Sequence, residues 1–134
     1  MEDQKKQIIS AIIPVLKNET VFALVYGSFL SEAFTEHSDI DLAVFPKKTV
    51  NTWDDKMLFY QKLEELPGHE YDIVFLNDCD LIIAMQIIAN GRLFVNHDPG
   101  RFIQYKAGVI SQYIDFKMSR KIIEENLLKG RIYA

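Results

Sequence analysis

Two short stretches, Gly27-Ser28 and, ten residues further on, Asp39-Ile40-Asp41, combine the residue types needed to hold a polyphosphate and divalent cations. Glycine lets the backbone approach a phosphate with no Cβ in the way. The serine hydroxyl and neighbouring backbone amides then make a nest that suits an anion. Residues i and i+2 of a strand share a face, so Asp39 and Asp41 are expected to project together, with Cα atoms about 6.6 Å apart. Two carboxylates so close repel, and an oxygen-preferring divalent cation, magnesium first, is the natural filler. A site with two such ions keeps them about 3.5–4 Å apart and takes a third carboxylate from a neighbouring strand. Asp72 stands alone in the apolar run Tyr71-Asp72-Ile-Val-Phe-Leu76 and reads as that acid, pointing inward from a buried strand. A buried unpaired carboxylate is costly, which argues for a ligand there. In a purely local alternative, Ser38 caps a turn and Asp39 satisfies backbone amides. That account leaves Asp41 and Asp72 without a purpose.

The elements that must position these groups follow from periodicity. Val21–Tyr26 and Ile40–Phe45 are apolar runs that read as strands, the first delivering Gly27-Ser28 and the second carrying Asp41. Ile8, Ile9, Ile12, Ile13 and Leu16 have helical spacing, and Pro14 predicts a helix end or kink near Ile13 followed by a turn over Lys17–Thr20. Asn51 or Thr52 is placed to cap a helix running to about Leu66 and stopped by Pro67-Gly68. Further predicted elements are a helix from about Asp78 or Asp80 through Ala89, a short strand Arg92–Asn96, and a long helix from about Pro99. Phe102, Tyr105, Val109, Tyr113 and Phe116 recur at three- and four-residue steps in that last helix and read as core packing. The expected fold class is α/β (α+β), a small mixed β-sheet flanked by helices.

With 134 residues, 49% of them hydrophobic, the chain can bury one sizeable core but not two, so a single domain over 1–134 is expected. No long uncharged stretch suits a bilayer, and Met-Glu-Asp-Gln-Lys-Lys lacks the apolar centre of a signal peptide. The lone Cys79 fits a reducing, cytoplasmic setting and reads as a small core residue. Net charge is −4, unevenly spread: residues 1–100 carry 8 Lys/Arg against 16 Asp/Glu, whereas residues 101–134 carry 7 against 3. A basic tail suggests a partner or a phosphate-bearing ligand near the last helix, or simply a solvated face. An acidic body argues against stable binding of duplex nucleic acid. His37, His69 and His97 sit in turn contexts with no metal-ligand spacing. Arg92, Lys47 and Lys48 are open to either a phosphate or a surface role.

Gly27-Ser28, the ten-residue spacing, Ser38-Asp39-Ile40-Asp41-Leu42 and the later Asp72 resemble the DNA polymerase β type nucleotidyltransferase superfamily. More narrowly, the chain is similar to the minimal nucleotidyltransferases of the MntA group, the adenylyltransferase antitoxins paired with HEPN-domain ribonuclease toxins. The similarity extends through Asp80-Leu81, Asn90–Val95 and Tyr113–Phe116. It implies the nucleotidyltransferase fold with a long C-terminal helix. It implies that Asp39 and Asp41 hold two magnesium ions, that Asp72 binds the catalytic one and helps take a proton, and that Gly27 and Ser28, with Ser38, serve the nucleotide. It further implies ATP as donor and a tyrosine hydroxyl of a HEPN toxin as acceptor, with pyrophosphate released. Where that group commonly has arginine after Gly-Ser, this chain has Phe29. The competing expectations are a toxin-binding module without catalysis and a transferase acting on a small molecule, as in aminoglycoside-modifying relatives.

Overall fold

The computed structural model describes residues 2–48, 50, 52–66 and 70–130. Four helices and four strands alternate as α1 (Glu2–Glu19), β1 (Thr20–Tyr26), β2 (Ile40–Pro46), α2 (Trp53–Glu64), β3 (Tyr71–Phe75), α3 (Leu81–Asn90), β4 (Arg92–Asn96) and α4 (Pro99–Leu128). The strands form one mixed sheet in the order β3-β2-β1-β4. β1 runs antiparallel to both β2 and β4, while β2 and β3 are parallel and joined through α2.

Alternation along the strands divides the core into two layers. Ala23, Val25, Leu42, Val44, Ile73 and Phe75 meet Ile8, Ile12 and Leu16 of α1 and Phe59 and Leu63 of α2. On the other face Phe22, Leu24 and Ala43 meet Ile87 of α3 and Phe102 and Tyr105 of α4. The expected mixed sheet flanked by helices, with a long last helix, is the observed architecture.

The first helix differs from expectation. It passes through Pro14 and runs to Glu19, with β1 starting at once at Thr20, so there is no turn over Lys17–Thr20. Pro14 removes one helical donor, but Ile12 and Leu16 on either side of it are fully buried, and Thr20 Oγ1 donates to Leu16 O at 2.6 Å. Packing on both sides of the proline outweighs the lost bond. The expected stop signal Pro67-Gly68, Asn51 and His69 lie outside the described residues. Thr52 is the cap of α2, its hydroxyl accepting from Asp55 N at 3.1 Å.

Two further features matter for the site. At Ile73 the outer edge of β3 is closed by Tyr60, whose hydroxyl accepts from Ile73 N at 3.0 Å and donates to Ile73 O at 3.3 Å. The stripe that seats α4, Phe102, Tyr105 and Val109, continues at helical spacing into Phe116, Ile123 and Leu127. There it runs past the body: these three are 44%, 53% and 42% exposed, so the expectation that Phe116 is core packing does not hold.

Candidate functional site

All the chemistry-bearing residues gather at one end of the sheet. Register places the last residue of β1, Tyr26, opposite Asp41, and Asp41 beside Asp72, while Val25 pairs with Arg92. The end of β1 and the starts of β2, β3 and β4 therefore share an edge.

β1 breaks at Gly27 into a single 3-10 turn, Gly27–Leu30. Gly27 has φ +71°, and a Cβ built there would run into the Asp41 carboxylate, whose Cγ lies 3.2 Å away. Backbone conformation and crowding both demand glycine. No side chain caps the start of the turn, and Ser28 Oγ makes no hydrogen bond among the described residues. The turn is anchored by Phe29, which is buried edge-to-face on Phe34 with centroids 5.1 Å apart. Lys5 Nζ lies 5.5 Å from the Phe29 ring centroid and 5.6 Å from that of Phe34, and donates to Ser31 O at 3.0 Å. Further along, Ser38 Oγ accepts from Thr35 N at 3.0 Å and pairs with Thr35 Oγ1 at 3.1 Å. Ser38 thus closes the turn that leads into Asp39.

Asp41 and Asp72 are direct neighbours in the parallel ladder, so both side chains leave the same face on strands about 4.8 Å apart. Asp39 lies just ahead of β2 rather than within it, so strand alternation does not set its direction. The expectation that Asp72 is a buried inward acid fails, because it is exposed. Apolar packing on that face runs through Leu24, Ala43 and Val74 and gives way to solvent at Asp72, on the outermost strand.

The electrostatics tie the three acids together. Burial, then Asp72, then Asp39 push the Asp41 carboxyl above its ordinary range. Tyr26, between the glycine turn and the acids, is pushed up to about 12, by burial first and then by Asp41 and Asp72. Sequence reasoning missed Tyr26; its place next to Gly27 in a strand of known alternation was the available signal.

Among the described residues no three His, Cys, Asp or Glu groups converge on a ready metal position. The residues nonetheless fit a hard cation. The donors are all carboxylate oxygens, their mutual repulsion is what a divalent ion relieves, and Asp39 and Asp72 are exposed and, among the described residues, without ion pairs. His37 and His97 are exposed and Cys79 is half-buried. No helix among the described residues is long and apolar enough to cross a membrane.

Comparison with known proteins gives this geometry its context. The family described as polymerase beta nucleotidyltransferase matches residues 10–100, the span that holds the glycine turn and all three acids. No curated protein matches the chain. Among solved structures, a toxin-antitoxin complex with AMP-PNP superimposes with a TM-score of 0.73 at 20% identity, covering 90% of this chain and 98% of that one. A MntA-HepT toxin-antitoxin structure gives 0.69 at 19% identity, over 92% and 98% of the two chains. A tri-AMPylated Shewanella oneidensis HEPN toxin in complex with MNT antitoxin gives 0.70 at 20% identity, again over 92% and 98%. At these identities the likeness speaks for a shared fold. The match over residues 10–100 goes further: the chain belongs to the polymerase beta nucleotidyltransferase family.

Proposed function

We propose that this nucleotidyltransferase moves AMP from ATP to a protein hydroxyl, a tyrosine of a cognate HEPN ribonuclease toxin, and thereby acts as its antitoxin. The observation that carries the reading is the in-register pair Asp41–Asp72, with Asp39 in electrostatic reach, next to an uncapped turn that only glycine can make. The structural neighbours support donor and acceptor class: one is described with AMP-PNP, another with a tri-AMPylated HEPN toxin. The exposed apolar continuation of α4 supports a macromolecular partner over a small acceptor, since such surface marks interaction sites.

In the proposed reaction the acceptor oxygen attacks the α-phosphorus in line, the bond from that phosphorus to the bridging oxygen breaks, and pyrophosphate leaves with the bonding electrons. Gly27 and Ser28 hold the triphosphate through backbone amides and the free Ser28 hydroxyl, and Ser38 fixes the entry of the chain into Asp39. Asp72, the most solvent-open strand acid, receives the proton of the attacking hydroxyl. Asp39, Asp41 and Asp72 would hold two magnesium ions, which when bound supply positive charge to the entering and leaving oxygens.

Incubating the protein and its candidate toxin with ATP labelled separately at the α and γ positions tests this. Label should reach the toxin only from the α position; transfer from γ alone would make the protein a kinase. The exposed α4 stripe also favours a second reading, neutralisation by coverage without chemistry. Asp39→Asn with Asp41→Asn should abolish protection if chemistry is the mechanism and leave it intact if coverage is.

A further inference from the structure

A groove of about 500 Å³ lies along the outer edge of β3, between α2 and the start of α3. Two contacts fix its direction. Lys56, early in α2, meets Asp78 beyond the end of β3, whereas Tyr60, one turn on, meets Ile73 inside the strand. α2 therefore runs back along β3, and its last residue, Glu64, lies towards the end that carries Asp72. The helix has 12 residues, a length of about 18 Å, which matches about five residues of extended chain. Val74 lines the groove, and Val74 and Asp72, two apart in β3, project from the same face with Cα atoms about 6.6 Å apart. The groove thus leads to the acid proposed to take the acceptor's proton.

Its walls are apolar and its charge is negative. Trp53, the chain's only tryptophan, is 74% exposed at the far end, and Met57 and Ile83 line the same groove as exposed side chains. Large apolar side chains left open around a concavity mark an interaction site, and tryptophan is among the residues that most often anchor one. Among the described residues Lys56 is the only lining Lys or Arg, and it is matched to Asp78 at 3.1 Å. Asp80 caps α3 by accepting from Ile82 N. Glu64 is exposed and has no ion pair among the described residues, and the same is true of Asp72 at that end. The end of the groove next to the reaction centre therefore carries two unmatched acids, which a cation complements.

We infer that this groove seats the acceptor, an extended segment of the partner protein with a basic residue beside the accepting hydroxyl and an apolar side chain a few residues away. The basic residue meets Glu64, the apolar one packs on Trp53, Met57 and Ile83, and the hydroxyl comes to Asp72. The inference rests on the nucleotidyl-transfer reading and adds to it what the acceptor sequence must contain. A hydroxyl flanked by acids is rejected, because its neighbours would set like charges against Glu64 and Asp72.

Because Trp53 is the only tryptophan, its emission reports on the groove directly. The probes are the symmetric peptide acetyl-Phe-Ala-Lys-Tyr-Lys-Ala-Phe-amide, which presents the same groups whichever way it lies, and its counterpart with Glu in place of both Lys. On the full chain the lysine peptide should move Trp53 emission to the blue and saturate, and the glutamate peptide should bind about tenfold more weakly. Glu64→Lys should reverse that order, whereas Glu125→Lys, the same charge change on α4, should leave it intact. Ile83→Ser should weaken the lysine peptide about fivefold with the melting temperature unchanged. In the transfer assay Glu64→Lys should raise KM for the acceptor and leave KM for ATP as it was. The groove is refuted if the lysine peptide leaves Trp53 unmoved, if Glu64→Lys does not reverse the order, or if Glu125→Lys reverses it too. An equal blue shift with AMP-PNP and magnesium alone also refutes it, since the groove would then hold the nucleotide. If peptide binding follows Glu64 while no AMP reaches any acceptor, the groove stands as a peptide site and the transfer reading falls. If Glu64→Lys and Ile83→Ser pass AMP to the toxin as fast as wild type, the transfer reading stands and the groove falls.

Discussion

Gly27 and Asp41 occupy one space: the carboxylate of the strand acid fills the position a side chain at residue 27 would take. The turn proposed to hold phosphate and the acid proposed to hold cations are thus fitted to each other, not merely adjacent. Gly27→Ala would force a left-handed backbone on alanine, at about 1–2 kcal/mol, and push the Asp41 side chain aside. The expected outcome is a loss of that size in urea unfolding, with AMP transfer reduced far beyond what the lost stability explains. Transfer within twofold of wild type would show that the fit has no catalytic consequence.

Asp41 carries the repulsion of the group, its carboxyl raised by burial and by Asp72 and Asp39. A raised carboxyl is protonated more readily in the folded chain than in the unfolded one, so it contributes stability below the ordinary carboxylate value. That contribution disappears as pH climbs through the raised value. Asp41→Asn should therefore stabilise the metal-free protein at neutral pH, with the advantage shrinking as pH falls into the acid range. Magnesium should raise the melting temperature of wild type, by mass action on the folded state, and fail to raise that of the variant.

Tyr26 gives an alkaline counterpart. Its hydroxyl ionises at about 12 in the folded protein against an ordinary 10.0. The raised value means that its contribution to stability is complete below pH 10 and is lost as pH rises towards 12. Burial also raises Tyr71 and Tyr105, so tyrosinate absorbance should show several tyrosines ionising late in an alkaline titration, one fewer in Tyr26→Phe. Asp41→Asn should bring the ionisation of Tyr26 to lower pH, because one of the negative charges opposing tyrosinate is gone.

The outer part of α4 should be separable from folding. Ile123→Ser and Leu127→Ser, at exposed positions, are expected to change unfolding free energy by at most about 0.5 kcal/mol. Leu63→Ala, in the sealed core, should cost about 2–5 kcal/mol. The same two α4 variants should weaken capture of the proposed toxin partner in a pull-down; undiminished capture would place its contact surface elsewhere.

Strands were the most legible part of the chain. β4 matches its expected bounds, Arg92–Asn96, because Asn90-Gly91 ahead of it and His97-Asp98-Pro99 after it are strong punctuation. The cap of α2 was legible as one of two neighbours, Asn51 or Thr52, and Thr52 holds it. Pro14 misled because its local rule is overridden by Ile12 and Leu16, whose burial depends on the distant strands. Asp72 was given the right strand and neighbour but the wrong exposure, since strand order, invisible in an apolar run, places β3 outermost. The groove that Lys5, Lys6 and Arg92 line together had no linear signature at all. Lys5 and Arg92 are far apart in sequence, and only the pairing of β4 with β1 brings Arg92 to the glycine turn.

The hydroxyl of Tyr60, clasping both peptide groups of Ile73, and Asp78 N, donating to Phe75 O at 3.0 Å, have a consequence for assembly. Ile73, the outward rung of β3 next to Asp72, is thereby closed to a foreign strand. An acceptor of the proposed transfer therefore meets side chains, not open backbone, at this point of the border.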